Sequence, residues 1–277
     1  MKILTPAKIN LTLEIVRRRP DGFHELATWM LPVGLYDSLE IEEAKEDSVS
    51  SNVSELRDDQ SNLIVRAREL FADTTGIRVP HRIILEKKIP MGAGLGGGSS
   101  DAAATLRLLN QLHGEPLNVS QRRELAAKLG SDVAFFVEPQ SFWCTGRGEV
   151  MERREFERDL WISLFKPEFS VSTAAAYQAY AQLPEDQKKG EEEQTKWGLL
   201  RNDLERAVFR KYLLLPVIKE WLKKQPETLV ALMSGSGSTM FAVVKDAGQG
   251  KALVDRFRAK FGDRDWSWLG KLNLEGG

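Results

Sequence analysis

The feature that most constrains this chain is the glycine-rich run Pro90-Met-Gly-Ala-Gly-Leu-Gly-Gly-Gly-Ser-Ser100. Its five glycines lie between a β-branched stretch, residues 82–86, which predicts a strand, and an apolar periodic segment, residues 99–112, which predicts a helix. Glycines let the backbone approach a ligand closely, and a helix N-terminus presents unpaired N–H groups and the positive end of the helix dipole. The pattern therefore predicts an anion site. Ser99 and Ser100 can cap the helix or offer hydroxyls to a phosphate or to Mg²⁺.

Two known kinds of phosphate-binding loop can be compared with this run. A P-loop has a lysine followed by serine or threonine after its last glycine, and no lysine follows the glycines here. The spacing of Gly92, Gly94 and Gly97 matches dinucleotide-binding domains, which also need an acidic residue about 20 positions later, after a second strand. Glu115 directly follows the predicted helix, with no strand before it. A dinucleotide-dependent oxidoreductase therefore stays an alternative that the spacing disfavours.

A lysine and an aspartate are candidates for the chemistry beside such a loop. Residues 7–15 alternate between apolar and polar, which predicts a strand with one buried face and one polar face that carries Lys8 and Asn10. Asp132 lies between a helix stop and an apolar run. A lysine near an aspartate keeps the carboxylate ionised, and both groups can act on a hydroxyl that attacks phosphorus. A solvated strand lysine and a helix-capping aspartate are the structural alternatives.

The remaining pattern predicts strands and helices interleaved along the whole chain, which indicates an α/β or α+β protein with two lobes. The charged segment 149–159 marks the predicted boundary, giving an N-terminal lobe of residues 1–149 and a C-terminal lobe of residues 150–277. Further predicted strands are 26–33, 38–42, 160–165, 229–233 and 239–244; predicted helices are 62–75, 120–129, 173–182, 199–209 and 217–223; residues 184–196 are predicted to be an exposed loop. A small-residue turn, 234–239, joins the last two strands.

Composition narrows the classes of partner and compartment. The chain has 39 Lys and Arg against 40 Asp and Glu, so its formal net charge of −1 gives no general attraction to nucleic acid or to an anionic membrane. A single cysteine, Cys144, excludes an internal disulfide and a cysteine-based zinc site, which fits a reducing compartment. The apolar stretches are far shorter than the ~20 residues that span a bilayer. We therefore expect a soluble, cytoplasmic protein.

Taken together, the motifs resemble the GHMP kinase superfamily, in order from residue 6 to about residue 240. The matching segments are Pro6–Leu11, Asp21–Leu26, Pro90–Ser100, Ser131–Phe136 and Gly235–Thr239. The glycine run alone would indicate only the superfamily. The combination of Ala-Lys-Ile-Asn, Asp-Gly-Phe-His and Gly-Gly-Gly-Ser-Ser-Asp-Ala-Ala is similar to the branch that acts on a cytidine diphosphate-linked methylerythritol in isoprenoid precursor biosynthesis. Another GHMP small-molecule kinase and a catalytically inactive binding protein of this fold are alternatives, and the presence of both Lys8 and Asp132 disfavours the latter.

The resemblance implies an α+β, two-lobed fold with the active site in the cleft between the lobes. It also implies phosphoryl transfer from ATP, with Mg²⁺, to the 2-hydroxyl of that small-molecule substrate, and it places Lys8 and Asp132 on the catalytic pair. The implied ATP-binding residues are Pro90, Met91, Gly92, Ala93, Gly94, Leu95, Gly96, Gly97, Gly98, Ser99 and Ser100. The implied substrate-binding residues are Asn10, Phe23, His24, Thr173 and Tyr177.

Two positions depart from the family pattern. The resemblance implies that Phe23 and Tyr177 sandwich the cytosine ring, and the first of these is usually tyrosine. Phenylalanine loses a hydroxyl but keeps a stacking face, so base binding is expected to survive. Ala134 stands where proline is common. For both aromatic residues core packing is the competing interpretation, most seriously for Tyr177 on its predicted helix.

Overall fold

The structure is a computed structural model that describes residues 1–274. Its strands are β1 (Lys2–Arg18), β2 (His24–Glu43), β3 (Ser48–Ser51), β4 (His81–Glu86), β5 (Phe142–Thr145), β6 (Val150–Arg153), β7 (Trp161–Lys166), β8 (Glu193–Thr195), β9 (Gly198–Leu200), β10 (Val230–Met233), β11 (Met240–Val244) and β12 (Trp266–Lys271). Its α-helices are α1 (Leu63–Thr75), α2 (Gly97–Leu112), α3 (Val119–Leu129), α4 (Ser131–Phe135), α5 (Thr173–Ala181), α6 (Glu205–Lys211), α7 (Leu214–Lys223) and α8 (Ala247–Phe261). The α+β class with two lobes is confirmed. No helix in residues 1–274 is long and apolar enough to cross a membrane.

The first lobe is a mixed sheet with helices packed against it. The long strands β1 and β2 pair antiparallel, and the rest of the sheet runs in the order β3-β4-β2-β5-β6. Among the strands that the structure describes in this sheet, only β3 and β4 pair in parallel. Helices α1, α2, α3 and α4 contribute to an apolar core with β2, β4 and β5. The sheet extends to residue 153, because β6 pairs with β5.

The second lobe is a four-stranded antiparallel sheet in the order β10-β11-β7-β12. Helices α5, α6, α7 and α8 contribute to its main core, together with the C-terminal part of β1. A third cluster joins the two lobes: Ala7, Ile9 and Leu11 of β1 share an apolar core with residues of β7, β10 and β11. Strand β1 therefore belongs structurally to both lobes.

The central position of β1 covers both of its faces. The alternating pattern predicts one buried face and one polar face, and the polar face is also covered, since Lys8, Asn10 and Thr12 are only 3%, 4% and 2% exposed. One face of the strand packs on the second sheet, and the other is covered by the glycine loop and the elements around it. Because a buried amine needs polar partners, Lys8 is held by specific contacts and is not a solvated strand lysine.

Local signals in the sequence explain several element boundaries. The side chain of Asn62 caps α1 by accepting from Ile64 N, and Gly76 ends the helix in the left-handed conformation. Asn118 and Gln121 form a capping box at α3. Predicted strands 26–33 and 38–42 are parts of the single strand β2. The predicted helix 199–209 is wrong at its start, because residues 198–200 form β9 and α6 begins at Glu205.

Candidate active site

The glycine loop lies between β4 and α2, and hydrogen bonds to its carbonyl groups fix its shape. Gly92, Gly94 and Gly96 have φ of 58°, 74° and 71°, a conformation that other residues rarely adopt. Each carbonyl from residue 91 to residue 96 accepts a hydrogen bond. The donors are Ser170 Oγ to Met91 O, Val171 N to Gly92 O, Thr239 N to Ala93 O, Ser234 Oγ to Gly94 O, Lys8 N to Leu95 O and Ser100 N to Gly96 O. The bonds from segments 170–171 and 234–239 attach the loop to the second lobe.

The start of α2 leaves amide groups available for a ligand. The first N–H groups of a helix have no intrahelical acceptor, so those of Gly97, Gly98 and Ser99 are free to bind an anion. A Cβ at Gly98 would meet nothing within 4 Å, and this residue lines an open cavity. At Gly94, a Cβ would lie 2.1 Å from Ser234 O, so glycine is required there for the loop to lie against the turn.

Two cavities meet beside this loop. The first has a volume of 380 Å³ and is lined by the glycine loop, Lys8, Asn10 and the N-terminal region of α1. The second has a volume of 650 Å³ and is lined by residues 22–24 and by α5. The residues that line both cavities are Leu26, Ser99, Asp132, Arg147, Thr173 and Tyr177. Asp132 therefore lies where a ligand in one cavity would meet a ligand in the other.

The structure brings Lys8 and Asp132 together. Lys8 Nζ lies 3.3 Å from Asp132 Oδ2 and donates to Asn10 Oδ1 at 2.6 Å. Asn10 Nδ2 in turn donates to Thr28 Oγ1 at 2.8 Å, and this hydroxyl donates to Thr12 O at 2.6 Å. Asp132 lies in the first turn of the short helix α4, and its side chain is 40% exposed toward the cavities. A buried, oriented amine beside an accessible carboxylate suits general-base chemistry on a hydroxyl.

Aromatic rings line the second cavity. Tyr177 stacks on His24, with ring centroids 5.3 Å apart and an interplanar angle of 23°. Phe23 is 54% exposed, and the guanidinium carbon of Arg147 lies 4.9 Å from its ring centroid. Burial lowers the pKa of His24, with further lowering by Arg18 and Lys188, so its imidazole is neutral at pH 7. Burial raises the pKa of Tyr177. The residue that stacks directly on Tyr177 is thus His24, and Phe23 lines the same cavity.

The turn between β10 and β11 closes the cleft over Lys8. A Cβ on Gly235 would lie 3.2 Å from Asn10 Oδ1 and 3.3 Å from Lys8 Nζ, so the backbone of the turn lies against these two side chains. Thr173 Oγ1 and Ser236 Oγ are 2.9 Å apart and join α5 to the turn. Thr173 and Ser236 both line the first cavity, next to the glycine loop.

Two features were not predicted from the sequence. Arg147, in the turn between β5 and β6, lines both cavities.

The second feature is a buried cluster under the start of α2. Lys87 Nζ binds the carboxylates of Asp37 and Asp101, at 2.9 Å for Asp101, and Thr5 Oγ1 donates to Asp101 at 2.8 Å. Burial raises the pKa of Asp101 to about 6, although Lys87 opposes the shift. In the sequence, Asp37, Lys87 and Asp101 stand out only as charged residues near the ends of predicted strands and helices, and that pattern does not predict that they meet.

Comparisons with known proteins agree with this geometry. The model of the GHMP kinases N terminal domain matches residues 62–139, and that of the GHMP kinases C terminal domain matches residues 191–263. The 4-diphosphocytidyl-2-C-methyl-D-erythritol kinase of Methylacidiphilum infernorum (isolate V4) is 41% identical over 272 residues, which cover 94% of this chain and 93% of that protein. The enzyme of the same name from Bacillus subtilis (strain 168) is 40% identical over 258 residues, covering 88% and 89%.

Solved structures show the same relationship. A crystal structure of 4-(cytidine 5'-diphospho)-2C-methyl-D-erythritol kinase superposes with a TM-score of 0.81 at 30% identity and covers 100% of both chains. Homoserine kinase from Cytophaga hutchinsonii shares the fold, with a TM-score of 0.73 at 18% identity over 99% of this chain and 94% of that one. These matches exclude the dinucleotide-dependent oxidoreductase. The chain belongs to the GHMP kinase family of ATP-dependent phosphotransferases that act on small-molecule alcohols.

Proposed function

We propose that this enzyme transfers the γ-phosphoryl group of ATP to the 2-hydroxyl of 4-diphosphocytidyl-2-C-methyl-D-erythritol. The observation that carries the proposal is the meeting of the two cavities at Asp132, one bordered by free helix amides and the other by aromatic rings. The names of relatives that are about 40% identical over most of their length support the choice of acceptor.

The glycine loop binds the phosphates of ATP. The N–H groups of Gly97, Gly98 and Ser99 and the dipole of α2 supply donors and positive potential without a P-loop lysine. The base end of the nucleotide lies toward the N-terminus of α1, where Asn62 and Leu63 line the same cavity. This orientation directs the γ-phosphate toward Lys8 and Asp132.

Asp132 orients the acceptor hydroxyl and accepts its proton as the bond to phosphorus forms. Lys8, 3.3 Å away, stabilises the carboxylate and balances negative charge that develops on the transferred group. Asn10 fixes the amine of Lys8 through a bond of 2.6 Å, so that the amine does not have to reorganise during the reaction. Because proton removal is late in a loose transition state, orientation of the hydroxyl by Asp132 contributes as much as its basicity.

The second cavity binds the cytidine diphosphate part of the acceptor. Its aromatic wall, Phe23, His24 and Tyr177, offers stacking faces, and the neutral imidazole of His24 can exchange a hydrogen bond with the base. Thr173, at the start of α5, adds a hydroxyl. Arg147 lies between this wall and the reacting groups, where its guanidinium pairs with the diphosphate.

The cleft also suits Mg²⁺ bound chiefly by ATP. Within residues 1–274, no group of three or more His, Cys, Asp or Glu side chains is placed to hold a metal ion. Mg²⁺ commonly keeps several waters and takes its other ligands from phosphates and one or two protein oxygens. The Ser99 hydroxyl and the Asp132 carboxylate line the cavity and would supply these oxygens. When bound, the ion would neutralise charge on the β- and γ-phosphates.

Substrate choice can be tested with a panel of acceptors. The enzyme is incubated with Mg-ATP and the cytidyl-linked methylerythritol, mevalonate, homoserine or galactose, and ADP release is followed with a coupled assay. We expect kcat/KM for the cytidyl-linked acceptor to exceed the others by at least about 100-fold, because a site with polar and stacking contacts rejects ligands that leave them unpaired. ³¹P NMR should show a new phosphomonoester. Faster turnover of any other acceptor would refute the proposal.

Two further points remain predictions. One is the division into an N-terminal lobe of residues 1–149 and a C-terminal lobe of residues 150–277, of which residues 275–277 lie outside the described residues. The other is a cytoplasmic location, which rests on the single cysteine of the sequence, Cys144.

A further inference from the structure

A short segment, residues 201–203, connects the strand that carries Lys8 with the turn that covers it. Leu13 N of β1 donates to Arg201 O at 2.8 Å, and Asp203 N donates back to Leu13 O at 2.9 Å. Thr12 Oγ1 also donates to Arg201 O at 2.9 Å. The segment is therefore fixed to β1 through backbone contacts on both sides of Asn202.

Asn202 links this segment to the turn. Its side-chain amide donates to Met233 O at 2.7 Å and to Gly235 O at 2.8 Å, and its Oδ1 accepts from Leu204 N at 3.0 Å. Both amide hydrogens are thus used, and the residue is 1% exposed. Asn202 lines neither of the two cavities, so it touches neither ATP nor acceptor.

The bond to Gly235 O sets the direction of a peptide that faces the reacting groups. The Gly235–Ser236 peptide is trans, so its N–H points opposite to its C=O. Because the Gly235 carbonyl points toward Asn202, the Ser236 N–H points away from Asn202, and Gly235 and Ser236 both line the first cavity. The turn lies against Lys8 there, with the Cβ position of Gly235 3.3 Å from Lys8 Nζ.

We propose that Asn202 is a positioning residue that holds the Gly235–Ser236 peptide with the Ser236 N–H directed at the transferred phosphoryl group. The proposal rests on the proposed kinase function and adds a donor to the site that Lys8 and Asp132 form. A donor fixed in advance stabilises charge that develops in the transition state without reorganisation. Asn202 supplies that fixation from outside the cavity, because it joins the turn to the same strand that carries Lys8.

The test compares Asn202→Ala with the matched control Asn110→Ala. Asn110 is also buried, at 2% exposure, and bonds both the N–H and the C=O of Leu117, but it lies at the far end of α2. We expect both variants to unfold at lower temperature. Only Asn202→Ala should lose about 10- to 100-fold in kcat, with the KM values for ATP and acceptor changed less than about threefold.

A second variant keeps the test decisive if Asn202→Ala does not fold. In Asn202→Ser a hydroxyl can donate to only one of the two carbonyls, so its kcat should fall between those of the alanine variant and the wild type. Asn202 variants that lose stability as Asn110→Ala does but retain kcat within about twofold would overturn the proposal and leave Asn202 a purely structural residue.

An NMR measurement tests the direction of the amide without any acceptor. Addition of a non-hydrolysable ATP analogue with Mg²⁺ should shift the ¹H–¹⁵N signal of Ser236 in the wild type and in Asn110→Ala, and shift it much less in Asn202→Ser. An unchanged Ser236 signal in the wild type would overturn the proposal. If the wild-type enzyme fails to phosphorylate the cytidyl-linked acceptor, the proposed function is refuted but the role of Asn202 is not. That role is still decided by two measurements that need no acceptor, the rate of ADP release and the NMR shifts.

Discussion

Gly98 offers the sharpest test of nucleotide binding by backbone amides. A Cβ at this position would meet nothing within 4 Å, and the backbone is not in the left-handed region, so a side chain fits without strain. The side chain would, however, project where the phosphates approach the amides. Gly98→Val should therefore block the anion site while the fold remains intact.

The size of the effect follows from the number of amides that lose their ligand. A hydrogen bond to a charged group contributes about 1.5–3 kcal/mol. If the valine side chain keeps the phosphates from two of the three amides at the start of α2, the loss is at least about 3 kcal/mol. At 1.4 kcal/mol per tenfold change, the dissociation constant for nucleotide should rise about 100-fold or more.

Two variants serve as controls for this prediction. Gly98→Ala adds one methyl group to the helix, so it should keep or raise the melting temperature, since alanine is a better helix former by about 1 kcal/mol. Gly96→Val tests something different, because a Cβ there would lie 2.8 Å from the ring of Phe136 and 3.0 Å from Lys8 Cγ, at a φ of 71°. It should lower the melting temperature and disturb Lys8.

The assay is calorimetric titration with Mg-ADP, combined with thermal unfolding of each variant. A folded Gly98→Val protein that binds ADP within about threefold of the wild type would refute phosphate binding by these amides.

Three other predictions concern the acceptor side and the buried charges. Asp132→Asn keeps the shape but removes the charge, so kcat should fall about 10²- to 10⁴-fold with a smaller change in KM; near-normal turnover at saturating substrate would make Asp132 only a helix-end residue. Phe23→Ala and Tyr177→Ala should each weaken acceptor binding by about 1–3 kcal/mol, seen as a higher acceptor KM with the ATP KM unchanged; if both bind acceptor normally, the rings are packing residues. Because burial raises the pKa of Asp101 to about 6, the stabilisation from its protonated form is present below pH ~4 and is lost as the pH rises through 6. In Asp101→Asn this part of the pH dependence of the free energy of unfolding should disappear, and an unchanged pH profile would contradict the shift.

The sequence predicts best those elements whose ends carry local signals. Helix α1 begins after the capping Asn62 and ends at Gly76, as its sequence indicates. Helix α8 and strand β12 were not predicted, although Asp246 caps α8 by accepting from Gln249 N and Gly262 follows its end. These cap signals alone would have located the helix.

Long-range contacts explain the elements and site features that sequence patterns miss. Residues 201–203 were predicted to be helical, but their backbone bonds to β1 put Asn202 in a bridge with Leu13, a turn follows at residues 203–204, and α6 begins only at Glu205. The alternating pattern of β1 cannot show that its polar side is covered, because the covering elements are the glycine loop and the turn at 234–239, far along the chain. For the same reason Arg147 gave no signal, since only the folded β5–β6 turn brings it between the two cavities.

The glycine loop shows why its sequence pattern fits two classes of enzyme, the dinucleotide-dependent oxidoreductases and the GHMP kinases. The spacing of Gly92, Gly94 and Gly97 specifies where the backbone needs freedom, and both a dinucleotide fold and this one need it after a strand and before a helix. In this chain the carbonyls of residues 91–95 bond to β1, to residues 170–171 and to the turn at 234–239, which are all remote in sequence, while Gly96 O bonds to Ser100 N of α2. The loop thus takes its shape from both lobes, and its free amides face the cleft that the same contacts create.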